Sequence, residues 1–190
     1  MKYHLVVVAA SAGGLTALVS VLEKLPVEFP LPVGVVQHID PNHPSRVASI
    51  LDRRTPLPVS QARNLDAMIR GHVYVAPPGV HMVIAPGYSV HLTNTAPVHF
   101  VRPAADLLFE SAARSCGRVI AVILTGTGSD GTAGAAVVHA AGGIVIAQNQ
   151  ATSEFFGMPQ AAIDSGVVDY VLPIEEIGRA LIDLTRVQAA

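Results

Sequence analysis

Short apolar runs alternate along this chain with longer stretches whose apolar residues recur at helical spacing. Leu5 to Ala10 is a β-branched, apolar run that predicts a strand over about 4–9. After Gly13-Gly14 the spacing turns helical and predicts a helix over about 14–25, stopped by Pro26. A second apolar run predicts a strand at about 33–37, and Asp40-Pro41-Asn42-His43-Pro44 leads into a helix at about 45–54. Short strands are expected near 58–60 and 73–76, and Val80 to Ile84 and Ser89 to Thr93 flank Pro86-Gly87 as a β-hairpin. A helix at about 104–115 precedes the most apolar strand, Val119 to Leu124. Asp130 or Thr132 then caps a helix that Gly142-Gly143 stops, with a strand at Ile144 to Ala147. A polar and aromatic loop from Gln148 to Gly157 leads to a helix at about 159–165, a strand at about 168–171 and a last helix at about 174–186.

Strands and helices alternating at these lengths mean βαβ units. The expected fold is a doubly wound α/β domain over 1–190, with a mostly parallel sheet and an antiparallel hairpin at one edge. No internal repeat, linker or low-complexity segment interrupts it. Composition agrees: 51% of the 190 residues are hydrophobic and only 14% charged, which suits strands buried on both faces.

Charge narrows the partners. The formal net charge is −2, no basic cluster exceeds Arg53-Arg54, and Trp is absent, so a nucleic-acid surface is not expected. The one cysteine, Cys116, rules out an internal disulfide framework and fits a reducing, cytoplasmic setting. It reads as a plain buried or half-buried thiol. Lys2 and the apolar stretch after it imitate a secretory signal, with Ala10-Ser11-Ala12 as a mock cleavage site. Gly13-Gly14 breaks that stretch too early, so neither a signal nor a membrane span is expected.

The candidate chemistry gathers at strand ends. In an open α/β sheet, ligands bind beyond the carboxyl ends of the strands. Ser11 stands at the strand-to-helix turn Ala9-Ala10-Ser11-Ala12-Gly13-Gly14, His38 follows the second strand, and Asp130 closes Leu124-Thr125-Gly126-Thr127-Gly128-Ser129-Asp130-Gly131. All three therefore fall on one rim, where a serine nucleophile, a histidine base and an orienting carboxylate could meet. Each also has an ordinary reading. Ser11 and Asp130 could be helix caps, and His38 could be a core histidine bonded to a loop carbonyl. Backbone N–H groups near Ala12, Gly13 and Thr127 could form an oxyanion hole. Arg102 is a candidate for acidic substrate surface, or a solvated cation before a helix.

Three rivals compete. His38, Asp40 and His43 could ligate a metal in a metal-dependent hydrolase, although Pro41 and Pro44 stiffen that loop and no second cluster completes it. The glycine-rich turn before Asp130 could hold a phosphate, but it lacks the Gly-Lys-Ser/Thr of a P-loop. A non-catalytic protein-binding module on the same fold is the third.

Seven segments in order resemble the catalytic domain of the chemotaxis protein-glutamate methylesterases, the CheB family. They are Ser11 to Gly14, Val36-Gln37-His38, Val73 to His81, Arg102 to Phe109, Leu124 to Gly131, Gly157 to Ala162 and Val168 to Pro173. The resemblance implies a serine esterase that removes methyl groups from glutamyl esters on chemoreceptor helices and releases methanol, with glutamine deamidation in some relatives. It places the catalytic serine, histidine and aspartate on Ser11, His38 and Asp130, and implies no metal or organic cofactor. Two positions depart from the common pattern: Ala12 stands where threonine is usual, and Thr127 where methionine is common. Many members carry an N-terminal receiver domain, which is not expected here. That would imply constitutive activity, control by a separate protein, or service outside chemotaxis.

Overall fold

The computed structural model describes residues 2–39 and 45–186. The strands β1 (Val6–Ala10), β2 (Val33–Gln37), β3 (Val59–Gln61), β4 (Val73–Val75), β7 (Ile120–Ile123), β8 (Ile144–Gln148) and β9 (Tyr170–Leu172) form one sheet in the order β3-β4-β2-β1-β7-β8-β9. Every pair in it is parallel. The helices are α1 (Gly14–Leu22), α2 (Val47–Arg54), α3 (Ala105–Cys116), α4 (Thr132–Ala140), α5 (Gly157–Asp164) and α6 (Ile174–Thr185).

Strand period sorts the core into two layers. Val6, Val8 and Ala10 of the central strand turn toward α1, α2 and α6. Leu5, Val7 and Ala9 turn the other way, toward α3, α4 and α5. All five β1 residues are at most 1% exposed, and each buried valine contributes about 1.5–3 kcal/mol of transfer free energy. From β1 the chain steps to β2 on one side and later returns to β7 on the other, so the strand order reverses at the carboxyl end of β1. Such a reversal opens a crevice in which ligands bind.

The doubly wound α/β fold is as expected, with a different place for the hairpin. β5 (His81–Ala85) and β6 (Ser89–Thr93) form a two-stranded sheet of their own. It packs on the α3 face through Met82, Ile84 and Val90. Side chains of α3 satisfy its backbone there: the Ile84 N–H donates to Ser111 Oγ (3.0 Å), and Ser115 Oγ donates to the Ile84 carbonyl (2.8 Å). Among the described residues no helix is long and apolar enough to cross a membrane.

Candidate active site

The parallel register brings the rim residues side by side. Ala10 pairs with Gln37 at the last step of the β1–β2 ladder, and the His38 N–H donates to the Ala10 carbonyl (2.9 Å). On the other flank the Ser11 N–H donates to the Thr125 carbonyl (3.0 Å). Ser11 thus leaves the central strand between His38 and the turn after β7. Its side chain faces that turn, because a Cβ added at Gly126 would lie 2.7 Å from Ser11 Cβ.

The capping reading of Ser11 fails. The N-cap of α1 is Gly13, in the left-handed region at φ 73°, and α1 has no side-chain cap. Ser11 instead supplies its carbonyl to the Gly14 N–H (2.9 Å). Its hydroxyl enters no hydrogen bond among the described residues. It does not bond His38; such pairs often tighten only when substrate binds.

Asp130 is a cap, but not of its own helix. The N-cap of α4 is Gly131, and α4 has no side-chain cap. The Asp130 carboxylate reaches α3, where Oδ2 accepts the Ala105 N–H (2.6 Å) and Oδ1 the Asp106 N–H (3.0 Å). His38 Nε2 lies 2.7 Å from the same Oδ2. Burial alone would raise the Asp130 carboxyl. The His38 bond and the two N–H groups outweigh it and hold the group below its ordinary value. An ionised carboxylate only accepts, which assigns the proton to His38 Nε2 and leaves Nδ1 bare to take another. The carbonyl-bonded reading of this histidine is thereby replaced by a carboxylate pair.

A scan against family models matches residues 6–181 to the CheB methylesterase model. The chain belongs to that family. It is 45% identical over 186 residues to "Protein-glutamate methylesterase/protein-glutamine glutaminase 2" of Anaeromyxobacter dehalogenans, covering 97% of this chain and 54% of that relative. It is 46% identical over 185 residues to the corresponding protein 1 of Myxococcus xanthus, covering 95% and 54%. The chain thus spans about half the length of these curated relatives. The crystal structure of the Thermotoga maritima CheB methylesterase catalytic domain superposes with a TM-score of 0.92, at 39% identity, over 97% of this chain and all of that one.

In this CheB-family chain the remaining rim candidates differ in setting. The N–H groups of Ala12, Gly13 and Thr127 enter none of the backbone hydrogen bonds of the described residues, whereas the Gly126 N–H is taken by the Phe155 carbonyl. Ala12 and Gly13 are half-buried beside Ser11, and Thr127 is exposed. Arg102 lines a cleft of about 290 Å³ with His38, Ile39 and Phe100. Its Nη1 donates to the Thr95 carbonyl (2.9 Å), and its buried Nε has no partner among the described residues. Of the metal candidates, Asp40 and His43 lie outside the described residues; among the described ones no group of three or more ligating side chains occurs. Cys116 is half-buried, and burial pushes its thiol up to about 11.

Sequence reasoning gave no role to the residues that hold the serine turn. Gln37 Nε2 donates to the carbonyls of Ser11 (2.8 Å) and His38 (3.0 Å), and its amide fills the space a Cβ at Gly14 would need. Thr125 Oγ1 lies 3.0 Å from the Ala12 carbonyl, tying the two turns together, and Gln148 Oε1 accepts the Thr125 N–H (2.8 Å). The available signal was a polar residue at the end of each apolar run: Gln37, Thr125 and Gln148 are all buried. His81 is structural: Nδ1 accepts the Ala104 N–H (3.1 Å), and Nε2 then donates to the Ala96 carbonyl (3.1 Å).

Proposed function

We propose that the chain is a serine esterase that hydrolyses glutamyl methyl esters on a protein, and that Ser11, His38 and Asp130 carry the reaction. The observation that carries this reading is the 2.7 Å His38–Asp130 pair, with its carboxylate held ionised at the head of α3, beside a serine whose hydroxyl is not engaged in capping. His38 Nδ1 takes the Ser11 proton as Oγ bonds to the ester carbonyl carbon. The oxyanion is met by N–H groups around Ala12, Gly13 and Thr127. Collapse breaks the bond to the methoxy oxygen, which leaves as methanol with the proton from His38. Water, deprotonated by His38, then attacks the acyl-enzyme and frees Ser11 and a glutamate. Asp130 orients the ring and stabilises its protonated form without itself taking the proton.

The same acyl-enzyme would form from a glutamine amide with ammonia leaving, in line with the glutaminase half of the relatives' names. The substrate class is methylated chemoreceptor helices, by analogy with the family, and the setting is cytoplasmic. Arg102, which lines the cleft beside His38, is the candidate contact for an acidic substrate surface.

Methanol release from methylated receptor fragments tests the reading. Wild type should release methanol, and Ser11→Ala and His38→Gln should each lower kcat/KM by about 10³-fold or more. Undiminished release by Ser11→Ala would sink the mechanism. A wild type inert toward every glutamyl ester would favour the protein-binding module.

A further inference from the structure

Asp106 takes no part in the steps above, yet it is buried beside Asp130 and bound as closely. It stands in the first turn of α3. Its Oδ1 accepts the Gly134 N–H (2.7 Å) from the first turn of α4, and its Oδ2 lies 3.1 Å from His99 Nε2. Asp130, just ahead of α4, does the converse and accepts two N–H groups at the head of α3. The two helices thus exchange carboxylates across their N-terminal ends, each stabilised by the other helix's dipole. Gly134 permits the close approach, since a Cβ there would lie 2.7 Å from the Asp106 carbonyl oxygen and from Phe109 Cβ.

A neutral acceptor such as Asn would satisfy the Gly134 N–H equally well. A carboxylate adds a charge, and among the described residues no Lys or Arg pairs with it. The groups facing Asp106 are the N–H groups of Gly134 and Gly131 and the Asp130 carboxylate on the α4 side, and His99 on the loop before α3. His38 lies beyond Asp130. Two carboxylates therefore stand behind one imidazole, and the half-exposed His99 meets the outer one.

We propose that Asp106 is a positioning residue for the esterase site: it docks α4 on α3, and its charge acts through Asp130 to favour the protonated form of His38, with His99 as counter-charge. This rests on the reading of His38 as the base. Burial raises the Asp106 carboxyl above its usual range, against the pull of the Gly134 N–H, and the neighbouring Asp130 adds to the rise. The geometry couples the two: Asp130 accepts the Asp106 N–H while Asp106 accepts the Gly134 N–H four residues on from Asp130, which brings the carboxylates close enough for one to sense the other's charge.

The test follows the His38 ring by NMR across pH, alongside kcat/KM for methanol release, in wild type, Asp106→Asn and His99→Gln. Asp106→Asn keeps an oxygen for Gly134 and removes the charge. The His38 midpoint and the acid limb of the rate profile should both fall by about half a pH unit or more. His99→Gln keeps a donor toward Asp106 and removes the proposed counter-charge, so the midpoint should rise. A folded Asp106→Asn with the wild-type midpoint and acid limb would make Asp106 a structural cap and overturn the proposal. If Asp106→Asn does not fold, His99→Gln at its half-exposed position decides: a midpoint that stays or falls overturns the proposal. Ring titration needs no turnover. Absence of methanol release in wild type would thus overturn the esterase reading while the Asp106 question is still answered.

Discussion

The helices that begin around the crevice start in opposite ways. At the head of α1, Gly13 stands in the left-handed region, no side chain caps the helix, and the adjacent Ser11 hydroxyl takes no part in capping it. At the heads of α3 and α4 the N–H groups are taken by carboxylates, each from the other helix's end. A helix start without a side-chain cap gives up about 1 kcal/mol and leaves N–H groups pointing at whatever binds. A start closed by a remote carboxylate fixes that carboxylate instead, and here the fixed group is the partner of His38. On the proposed mechanism, the open head receives substrate and the closed pair holds the base.

Breaking the closed side should have the largest effect. Asp130→Asn removes the charge that orients His38 and should lower kcat/KM by about 10³–10⁴-fold. It should also cost about 1.5–3 kcal/mol of stability at neutral pH, since it weakens charge-assisted bonds at a buried site. The pH dependence has a definite sign. The folded-state value of Asp130 lies below the unfolded one, so its contribution is present above about pH 4 and lost as pH falls through the folded value. Denaturant unfolding of both proteins across pH should show the gap widest near neutrality and closing in acid; a gap constant with pH would remove the charge from the explanation.

Gly134→Ala attacks the same side through packing. The new methyl meets α3 backbone, which cannot step aside as a flexible side chain could, and should cost about 1–3 kcal/mol while loosening both carboxylate bonds. Chemical denaturation measures the first and the His38 ring signal the second. The smallest effect belongs to the open side. Because the Ser11 hydroxyl caps nothing, Ser11→Ala should change stability by no more than about 0.5 kcal/mol. A loss of about 1 kcal/mol or more, the cost of deleting a serine cap, would restore the capping role and erase the contrast between the two heads.

Much of this was legible in the chain, and for local reasons. Apolar period and glycine punctuation act over a few residues, so the elements from β1 to α6 lie close to where the pattern puts them. Strand period also carries Ser11 and His38 onto one face, since Ala9 and Val36, two residues before them, turn the same way. Pattern alone puts the hairpin at the sheet edge, since turn chemistry reports that two strands pair but not what they pack on. Ser111 and Ser115 of α3 decide that.

What local pattern settled, then, is the order of elements, the parallel sheet and the rim on which a serine, a histidine and an aspartate stand. The tertiary fold decided which of their ordinary roles survive. His38 and Asp130 are 92 residues apart, and Asp130 and Asp106 reach helices 25 and 28 residues away in the chain. A bond over such a distance depends on how α3 and α4 pack, and no spacing along the sequence encodes it. That packing turned Asp130 from a cap of its own helix into a cap of its neighbour and the partner of His38, while leaving the Ser11 hydroxyl free of the capping its position suggested.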